Sequence, residues 1–298
     1  MFTAQVLENI EAKYPGALRD RFDLIAGTSA GALIAAALAH GISAKTIRET
    51  FEEHGPRIFP RNLLSKVKWL VRAPYSADTL SAALTKLFGD QASILDQPIA
   101  EQNIKLLVTA ISAREHRARV FGGKGLGDEN FPKISLREAV IASAAAPTYF
   151  PIREPANAEP LVDGGLVANA PELVAIAYAR ERFAVDLDDL YVLGVGTAAP
   201  NPSLVNAGRL QRGLAGWLLS PRRGVVLLTL NAQEDFARRL TARFMKNRYV
   251  YVDAVPAADE ANYLGLDKAG ADATRILKKL AQNATTAHFG KPQFDAFF

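Results

Sequence analysis

A serine near the N-terminus lies in the pattern G-x-S-x-G, which is typical of a nucleophile held on a tight turn. The segment Gly27-Thr28-Ser29-Ala30-Gly31 follows the apolar stretch Phe22–Ala26 and opens a small-residue helix predicted over Ala30–His40. Glycines two residues either side of the serine let the neighbouring backbone come close. The helix N-terminus directs free N–H groups at the serine, so the Ala30 N–H is the expected oxyanion donor. The pattern predicts Ser29 as a nucleophile. The alternative is a glycine-rich turn that binds a phosphate or nothing.

Histidine is the usual general base for such a serine, where a carboxylate holds the ring in place. Only His288 follows a Ser…Asp…His order. The α/β-hydrolase topology places several strands before its elbow, whereas one helix fills that stretch here. A triad esterase using His288 therefore stays as an alternative. The other histidines are expected at a helix end or at the surface: His40, His54 and His116.

An aspartate offers a second kind of base. The turn Asp163-Gly164-Gly165 follows the short apolar stretch Leu161-Val162, and its glycines let the backbone bend tightly. A carboxylate acts as a general base when it is positioned on a hydroxyl and partly desolvated. Its separation in sequence from Ser29 puts the two groups on different strands, as a shared site requires. The turn predicts Asp163 as the base, although Asp-Gly-Gly alone is also an ordinary turn.

The elements that would position these residues alternate between strands and helices. This alternation predicts an α/β fold with a mainly parallel central sheet covered on both faces. Further strands are predicted at Leu106–Ile111, Leu161-Val162 and Leu190–Val195. Further helices are predicted at Thr3–Tyr14, Lys45–His54, Ser135–Ala145, Pro171–Arg182 and Thr274–Ala281.

Composition excludes several classes of protein. The 298 residues are 49% apolar and 22% charged, as in globular chains, and they include no cysteine. Disulfide frameworks, thiolate catalysis and zinc–thiolate sites are therefore excluded. No ligand spacing indicates a metal, and no cofactor is expected. The apolar runs are too short to span a bilayer, and the first residues lack a secretory signal. We expect a cytoplasmic protein that associates peripherally with membranes when active.

The net charge of +4 conceals two stretches without acidic residues, His54–Ala77 and Leu190–Gln233, which together hold nine Lys and Arg. Basic residues mixed with Trp and Leu suit an anionic membrane surface. They also suit an anionic nucleotide effector, because Arg matches phosphate. No specific nucleic-acid binding is expected, and a solvated surface is the plain alternative. The apolar spacing of Leu63–Val71 predicts a lid or interfacial helix. The candidate surface residues are Arg57, Arg61, Lys66, Lys68, Trp69 and Arg72.

Four segments, in order and at similar spacing, resemble the patatin-like phospholipases. They are Gly27–Gly31, Ser143-Ala144-Ala145-Ala146-Pro147-Thr148-Tyr149-Phe150-Pro151, Asp163–Gly165 and Gly194-Val195-Gly196-Thr197. The resemblance implies a three-layer α/β fold and hydrolysis of fatty-acyl esters by a Ser29–Asp163 dyad. It also implies one domain over residues 1–298, with core motifs in 22–197 and a looser 198–298. The segment Ile58–Asp90 resembles bacterial members that cyclic nucleotides activate in anti-phage signalling.

One departure from the family concerns the start of the chain. The family opens with a strand and a D-G-G-G-x-R-G loop whose amides form the oxyanion hole, and this sequence begins with Met1-Phe2-Thr3-Ala4. A start codon placed too late, a shortened chain or an impaired paralogue would each explain the difference, and we favour the first. A missing strand would leave an unpaired sheet position.

The sequence thus predicts a serine lipid acyl hydrolase of the phospholipase A type. Its substrate would be a membrane phospholipid, with a cyclic nucleotide as a possible effector. The alternative from another class is a catalytically impaired binding or regulatory protein.

Overall fold

The computed structural model describes residues 1–59, 73–200, 224–265 and 267–298. Its strands are β1 (Ile25–Gly27), β2 (Leu106–Ser112), β3 (Ala118–Gly122), β4 (Leu161–Asp163), β5 (Val192–Val195) and β6 (Tyr249–Val252). Its helices are α1 (Phe2–Lys13), α2 (Ala30–Ala39), α3 (Ala44–Ile58), α4 (Ala77–Phe88), α5 (Leu136–Ser143), α6 (Gly165–Ala168), α7 (Glu172–Phe183), α8 (Gly224–Met245), α9 (Ala271–Thr286) and α10 (Pro292–Asp295). Short 3-10 helices lie at Leu18–Asp20, Gly89–Asp96, Ile99–Glu101, Leu187–Asp189, Lys246–Arg248 and Glu260–Tyr263.

Strand β2 is the centre of the main sheet. Strand β1 pairs with its first half in parallel, with Gly27 opposite Val108. Strand β3 pairs antiparallel along the other edge, because the short connection between β2 and β3 permits only a hairpin. Strand β4 pairs antiparallel with the last residues of β2, and Asp163 lies opposite Ala110. Strands β5 and β6 form a second, parallel pair.

The α/β fold expected from the sequence is confirmed, with its helices packed in layers on the sheet. The strand directions are more mixed than predicted, since β3 and β4 add antiparallel pairs to the parallel ones. Nearly every residue of β2 is buried, which agrees with its apolar sequence. Ser135 caps the start of α5, because its hydroxyl accepts a hydrogen bond from the Glu138 N–H.

Helix α2 fixes the turn that precedes it. Every residue from Ala32 to Leu38 is buried in the main core, where the small side chains let the helix lie close to β1. A Cβ added to Gly27 would lie only 2.7 Å from the Cβ of Ala35. The helix and strand are thus in direct contact at the turn that carries Ser29.

A cleft of about 770 Å³ lies between β1 and β5 and is lined by residues of both strands. Among the described residues, β1 pairs only with β2, and β5 only with β6. The edges of the two strands that border the cleft therefore carry no described strand partner.

Two expectations about surface segments have different outcomes. His54 was expected at the surface and is instead buried at 9% exposure, because α3 packs against neighbouring helices. The predicted lid helix Leu63–Val71 lies outside the described residues. Within the described ranges, no helix combines the length and apolar character needed to cross a membrane.

Candidate active site

Ser29 occupies a strained position at the junction of β1 and α2. Its φ of 55° and ψ of −130° lie where residues with a Cβ are rarely found. The surrounding turn holds this conformation, with the Gly31 N–H bonded to the Thr28 carbonyl at 2.8 Å. A side chain at such a sharp turn is directed away from its own backbone. This is the geometry predicted for a nucleophilic serine.

Strand pairing explains why Ser29 and Asp163 meet. Leu107 and Val108 of β2 pair with both β1 and β3. Ala110 and Ile111 pair with both β3 and β4, so β1 and β4 share the edge of β2 opposite β3. The two strands run towards each other along that edge and end two positions apart. The Ser29 hydroxyl consequently lies 2.7 Å from Asp163 Oδ2, although 134 residues separate them in the sequence.

The Asp163 carboxyl is buried, with 3% of the residue exposed. Its second oxygen, Oδ1, accepts a hydrogen bond of 2.7 Å from the Gly165 N–H. Burial raises the pKa of Asp163 to about 6, and the hydrogen bonds from Ser29 and Gly165 oppose this shift. A carboxylate with such a pKa is ionised at neutral pH and is more basic than an exposed aspartate. These properties suit a general base.

Residues outside the predicted dyad hold its two loops together. The Ser29 N–H donates to the buried Ser143 hydroxyl at 2.9 Å. The Thr28 hydroxyl donates to the Ala168 carbonyl at 2.6 Å and lies 2.8 Å from the hydroxyl of Thr109. Thr28 thus connects the serine turn to the segment that follows Asp163. Ser143 opens the Ser-Ala-Ala-Ala-Pro segment noted in the sequence, but nothing in that segment reveals its bond to Ser29.

The glycines around the dyad differ in how much space is available for a side chain. A Cβ on Gly27 would meet the Gly31 carbonyl oxygen at 2.3 Å, and one on Gly164 would meet Thr109 Oγ1 at 2.4 Å. On Gly165 it would approach Leu230 at 2.9 Å. A Cβ on Gly31 would meet nothing within 4 Å, so packing does not explain that glycine. The close approach of neighbouring backbone that was expected at both glycines of the motif is present at Gly27 and absent at Gly31.

The Ala30 N–H is the oxyanion donor that the local geometry favours. Ala30 is the first residue of α2, where the backbone N–H has no acceptor within the helix. In the described part of the chain, the Ala30 N–H also donates no backbone hydrogen bond to a carbonyl in a turn or loop. An N–H in this position next to the nucleophile can donate to developing negative charge.

The histidines considered as bases have other partners. His288 lies just after α9, and its Nδ1 is 2.8 Å from the Ala284 carbonyl of that helix. His40 bonds to the Ala36 carbonyl and to the side chain of Gln102. The hydroxyl of Ser29 is bonded to Asp163 and not to a histidine. This geometry favours the dyad over the triad that uses His288.

The predicted basic surface falls mostly outside the described residues. Arg57 is described, with 65% of its side chain exposed and a weak contact of 3.8 Å to Glu53. The remaining candidates lie beyond the described ranges: Arg61, Lys66, Lys68, Trp69 and Arg72. In the described part of the chain, no group of three His, Cys, Asp or Glu side chains is arranged to hold a metal ion.

The chain is similar in sequence to known phospholipases. The chain is 31% identical to a cGAMP-activated phospholipase of Pseudomonas aeruginosa, over all of this chain and 87% of that protein. It is 27% identical to a cGAMP-activated phospholipase of Escherichia coli, over 98% of this chain and 87% of the relative. A cUMP-AMP-activated phospholipase of Escherichia coli is 30% identical over 73% of this chain and 66% of its own length. The sequence profile of the family described as Patatin-like phospholipase matches residues 1–176. The chain therefore belongs to the patatin-like phospholipase family.

Proposed function

We propose that this protein hydrolyses fatty-acyl esters of membrane phospholipids through a Ser29–Asp163 dyad. The observation that carries the proposal is the 2.7 Å hydrogen bond from the Ser29 hydroxyl to the buried Asp163 carboxylate. A serine hydroxyl is a weak nucleophile until a neighbouring base accepts its proton. In this proposal Asp163 accepts that proton, and the strained turn presents the attacking oxygen.

The reaction follows in two stages. In the first, Ser29 Oγ attacks the ester carbonyl while its proton passes to Asp163, and the Ala30 N–H stabilises the oxyanion. The carbon–oxygen bond to the alcohol breaks, Asp163 returns the proton to the leaving oxygen, and an acyl-serine remains. In the second stage, Asp163 takes a proton from water, and the resulting attack releases the fatty acid and returns the proton to Ser29 Oγ.

Fatty-acid release from mixed phospholipid liposomes tests the dyad. We expect Ser29→Ala and Asp163→Asn each to lower turnover by at least about 10³-fold, because each removes a group that acts in the transition state. Ser93→Ala and Asp90→Asn change an exposed serine and an exposed aspartate and serve as matched controls. Circular dichroism checks that each variant is folded. Activity retained by purified Ser29→Ala would exclude the proposal.

The two alternatives give different results in the same assay. A triad esterase requires His288, so His288→Ala would abolish release, whereas the dyad leaves it near normal. A catalytically impaired binding protein would release no more fatty acid than Ser29→Ala does. Both outcomes are read against the same controls.

A cyclic nucleotide is the proposed effector. The support is the naming of the similar bacterial proteins as cGAMP- or cUMP-AMP-activated phospholipases. We expect cGAMP or cUMP-AMP to increase fatty-acid release by the full chain. The dyad variants separate activation from catalysis, since they stay inactive with either nucleotide.

A further inference from the structure

Ser143 carries a buried hydroxyl that has no reacting role in the proposed mechanism. It is the last residue of α5, and it is fully buried. A helical hydroxyl commonly donates to the carbonyl one turn before it, as Thr241 does to Ala237. In the described part of the chain, Ser143 makes no bond of this kind. Its Oγ instead accepts a hydrogen bond of 2.9 Å from the Ser29 N–H, outside its own helix.

The peptide group between Thr28 and Ser29 is held from two sides. Its carbonyl accepts a bond of 2.8 Å from the Gly31 N–H, within the turn itself. Its N–H donates to Ser143, which joins the turn to α5. Rotation about φ of Ser29 changes the angle between this peptide group and the serine side chain. Holding the peptide group therefore helps to hold the φ of 55° at which Ser29 lies.

The other bonds at this turn leave the backbone of Ser29 to Ser143. The Ser29 carbonyl accepts a bond of 2.9 Å from the Ala32 N–H, inside the first turn of α2. The side chain of Thr28 bonds to the Ala168 carbonyl and so fixes the residue before the nucleophile. Among the described residues, Ser143 is thus the group that joins the Ser29 backbone to a separate element of the fold.

The end of α5 also holds the backbone of the base. The Ala145 carbonyl accepts a hydrogen bond of 3.1 Å from the Asp163 N–H. The atoms that hold the nucleophile and the base therefore belong to residues two apart in the sequence. Helix α5 packs on α2, β2 and β4, so it lies against the elements next to both dyad residues. Residues 143–145 are placed to set the distance between Ser29 and Asp163.

We propose that Ser143 is a positioning residue for the Ser29–Asp163 dyad, an inference that rests on the proposed function. Its hydroxyl holds Ser29 in the strained conformation that presents Oγ to Asp163. Strained backbone persists only where the surrounding structure imposes it. Without this acceptor, the Ser29 N–H loses its partner and the turn relaxes towards a commoner φ. The 2.7 Å contact between Ser29 Oγ and Asp163 Oδ2 then lengthens.

Hydrogen exchange of single backbone amides, followed by NMR, tests the contact without reference to activity. We expect Ser143→Ala to speed exchange of the Ser29 N–H by about fivefold or more, because the amide loses its acceptor. Unchanged exchange of this amide in Ser143→Ala overturns the proposal.

Ser112→Ala is the matched control for this measurement. Ser112 is also fully buried, and its Oγ accepts a hydrogen bond of 2.9 Å from the Glu115 N–H. The control therefore removes the same kind of bond from a different part of the molecule. Exchange should become faster at Glu115 and stay unchanged at Ser29.

Steady-state kinetics on a soluble short-chain ester test the effect on the dyad. We expect Ser143→Ala to lower kcat by about 10²-fold with KM nearly unchanged, because a displacement of about 1 Å misaligns the attacking oxygen. The hydrogen bond from the Ser29 hydroxyl lowers the pKa of Asp163, so its weakening raises that pKa. The rise of kcat/KM with pH should therefore move to higher pH by about 0.5 to 1.

The control variant separates positioning from stability. Ser112→Ala should keep kcat and its pH profile even where thermal unfolding shows an equal loss of stability. Unchanged kcat in folded Ser143→Ala, or an equal loss of kcat in Ser112→Ala, overturns the proposal. Where Ser143→Ala does not fold, Ser143→Cys takes its place, since a thiol fills the site but accepts hydrogen bonds weakly. If the unchanged protein hydrolyses no ester, the proposed function fails, and exchange of the Ser29 N–H still decides whether Ser143 holds the turn.

Discussion

At the scale of single residues, the environment of Asp163 determines how the proposed dyad responds to pH. Burial raises the pKa of this carboxyl to about 6. The folded protein therefore holds a proton on Asp163 at pH values where the unfolded chain has released it. Stability from this group is fully present below its unfolded pKa, near 3.8, and is lost as the pH rises through about 6. Catalysis needs the ionised form, so activity and stability change in opposite directions.

We predict that kcat/KM for ester hydrolysis rises with pH through about 6 and then levels off. Asp163→Asn should raise the free energy of unfolding by about 3 kcal/mol above pH 7, and the gain should vanish near pH 4. Urea unfolding at several pH values measures this, with Asp90→Asn as the control. A gain that is the same at all pH values would show that the carboxyl is not desolvated.

At the scale of elements, the turn between β1 and α2 depends on one glycine far more than on the other. Gly27 lies against the Gly31 carbonyl and Ala35, where no Cβ fits. Gly31 lies inside the first turn of α2 and faces open space. Close packing therefore explains why a glycine is present at Gly27, but it does not explain the glycine at Gly31.

Alanine at each glycine separates these causes. We expect Gly27→Ala to lower the free energy of unfolding by at least about 2 kcal/mol, because the new methyl group overlaps backbone atoms. Gly31→Ala should leave stability unchanged or raise it by up to about 1 kcal/mol, since alanine favours helix. Thermal and urea unfolding measure both. Equal destabilisation by the two changes would contradict the observed packing.

At the scale of the whole molecule, helix α8 connects the base loop to an exposed apolar face. On its inner side, Gln233 accepts a hydrogen bond of 2.6 Å from the Asn169 N–H, and Glu234 accepts one of 2.8 Å from the Asn169 side chain. Its outer side exposes Val225, Leu228 and Phe236, with 64% of Phe236 accessible. These residues recur at helical spacing and suit insertion among lipid headgroups. This face supports the peripheral membrane association that is expected from the sequence.

We predict that Phe236→Asp weakens binding to anionic vesicles by at least about tenfold. Burial of one phenylalanine side chain contributes about 1.5 to 3 kcal/mol, and about 1.4 kcal/mol corresponds to a tenfold change in affinity. Hydrolysis of a soluble short-chain ester should stay unchanged. Val255→Asp is the matched control, since Val255 is 90% exposed elsewhere on the surface. Vesicle co-sedimentation gives the binding, and equal loss in both variants would exclude a specific face.

The sequence alone singled out Ser29 and Asp163 as candidates and predicted β1, β2, β4 and β5 near their observed positions. Residue type, glycine spacing and apolar periodicity are local properties, so they are visible without knowing which segments are in contact. The sequence analysis missed β3, β6, α4 and α8, and it placed His54 at the surface, because pairing and burial depend on distant residues. The same limit hid the roles of Ser143 and Thr109.

Only the tertiary structure decided how these parts work together. It brought β1 and β4 end to end on one edge of β2, which places Ser29 Oγ 2.7 Å from Asp163 across 134 residues of sequence. It also buried the Asp163 carboxyl, which raises the pKa of this group. Distance and desolvation are properties of packing. They therefore arise only once the chain has folded.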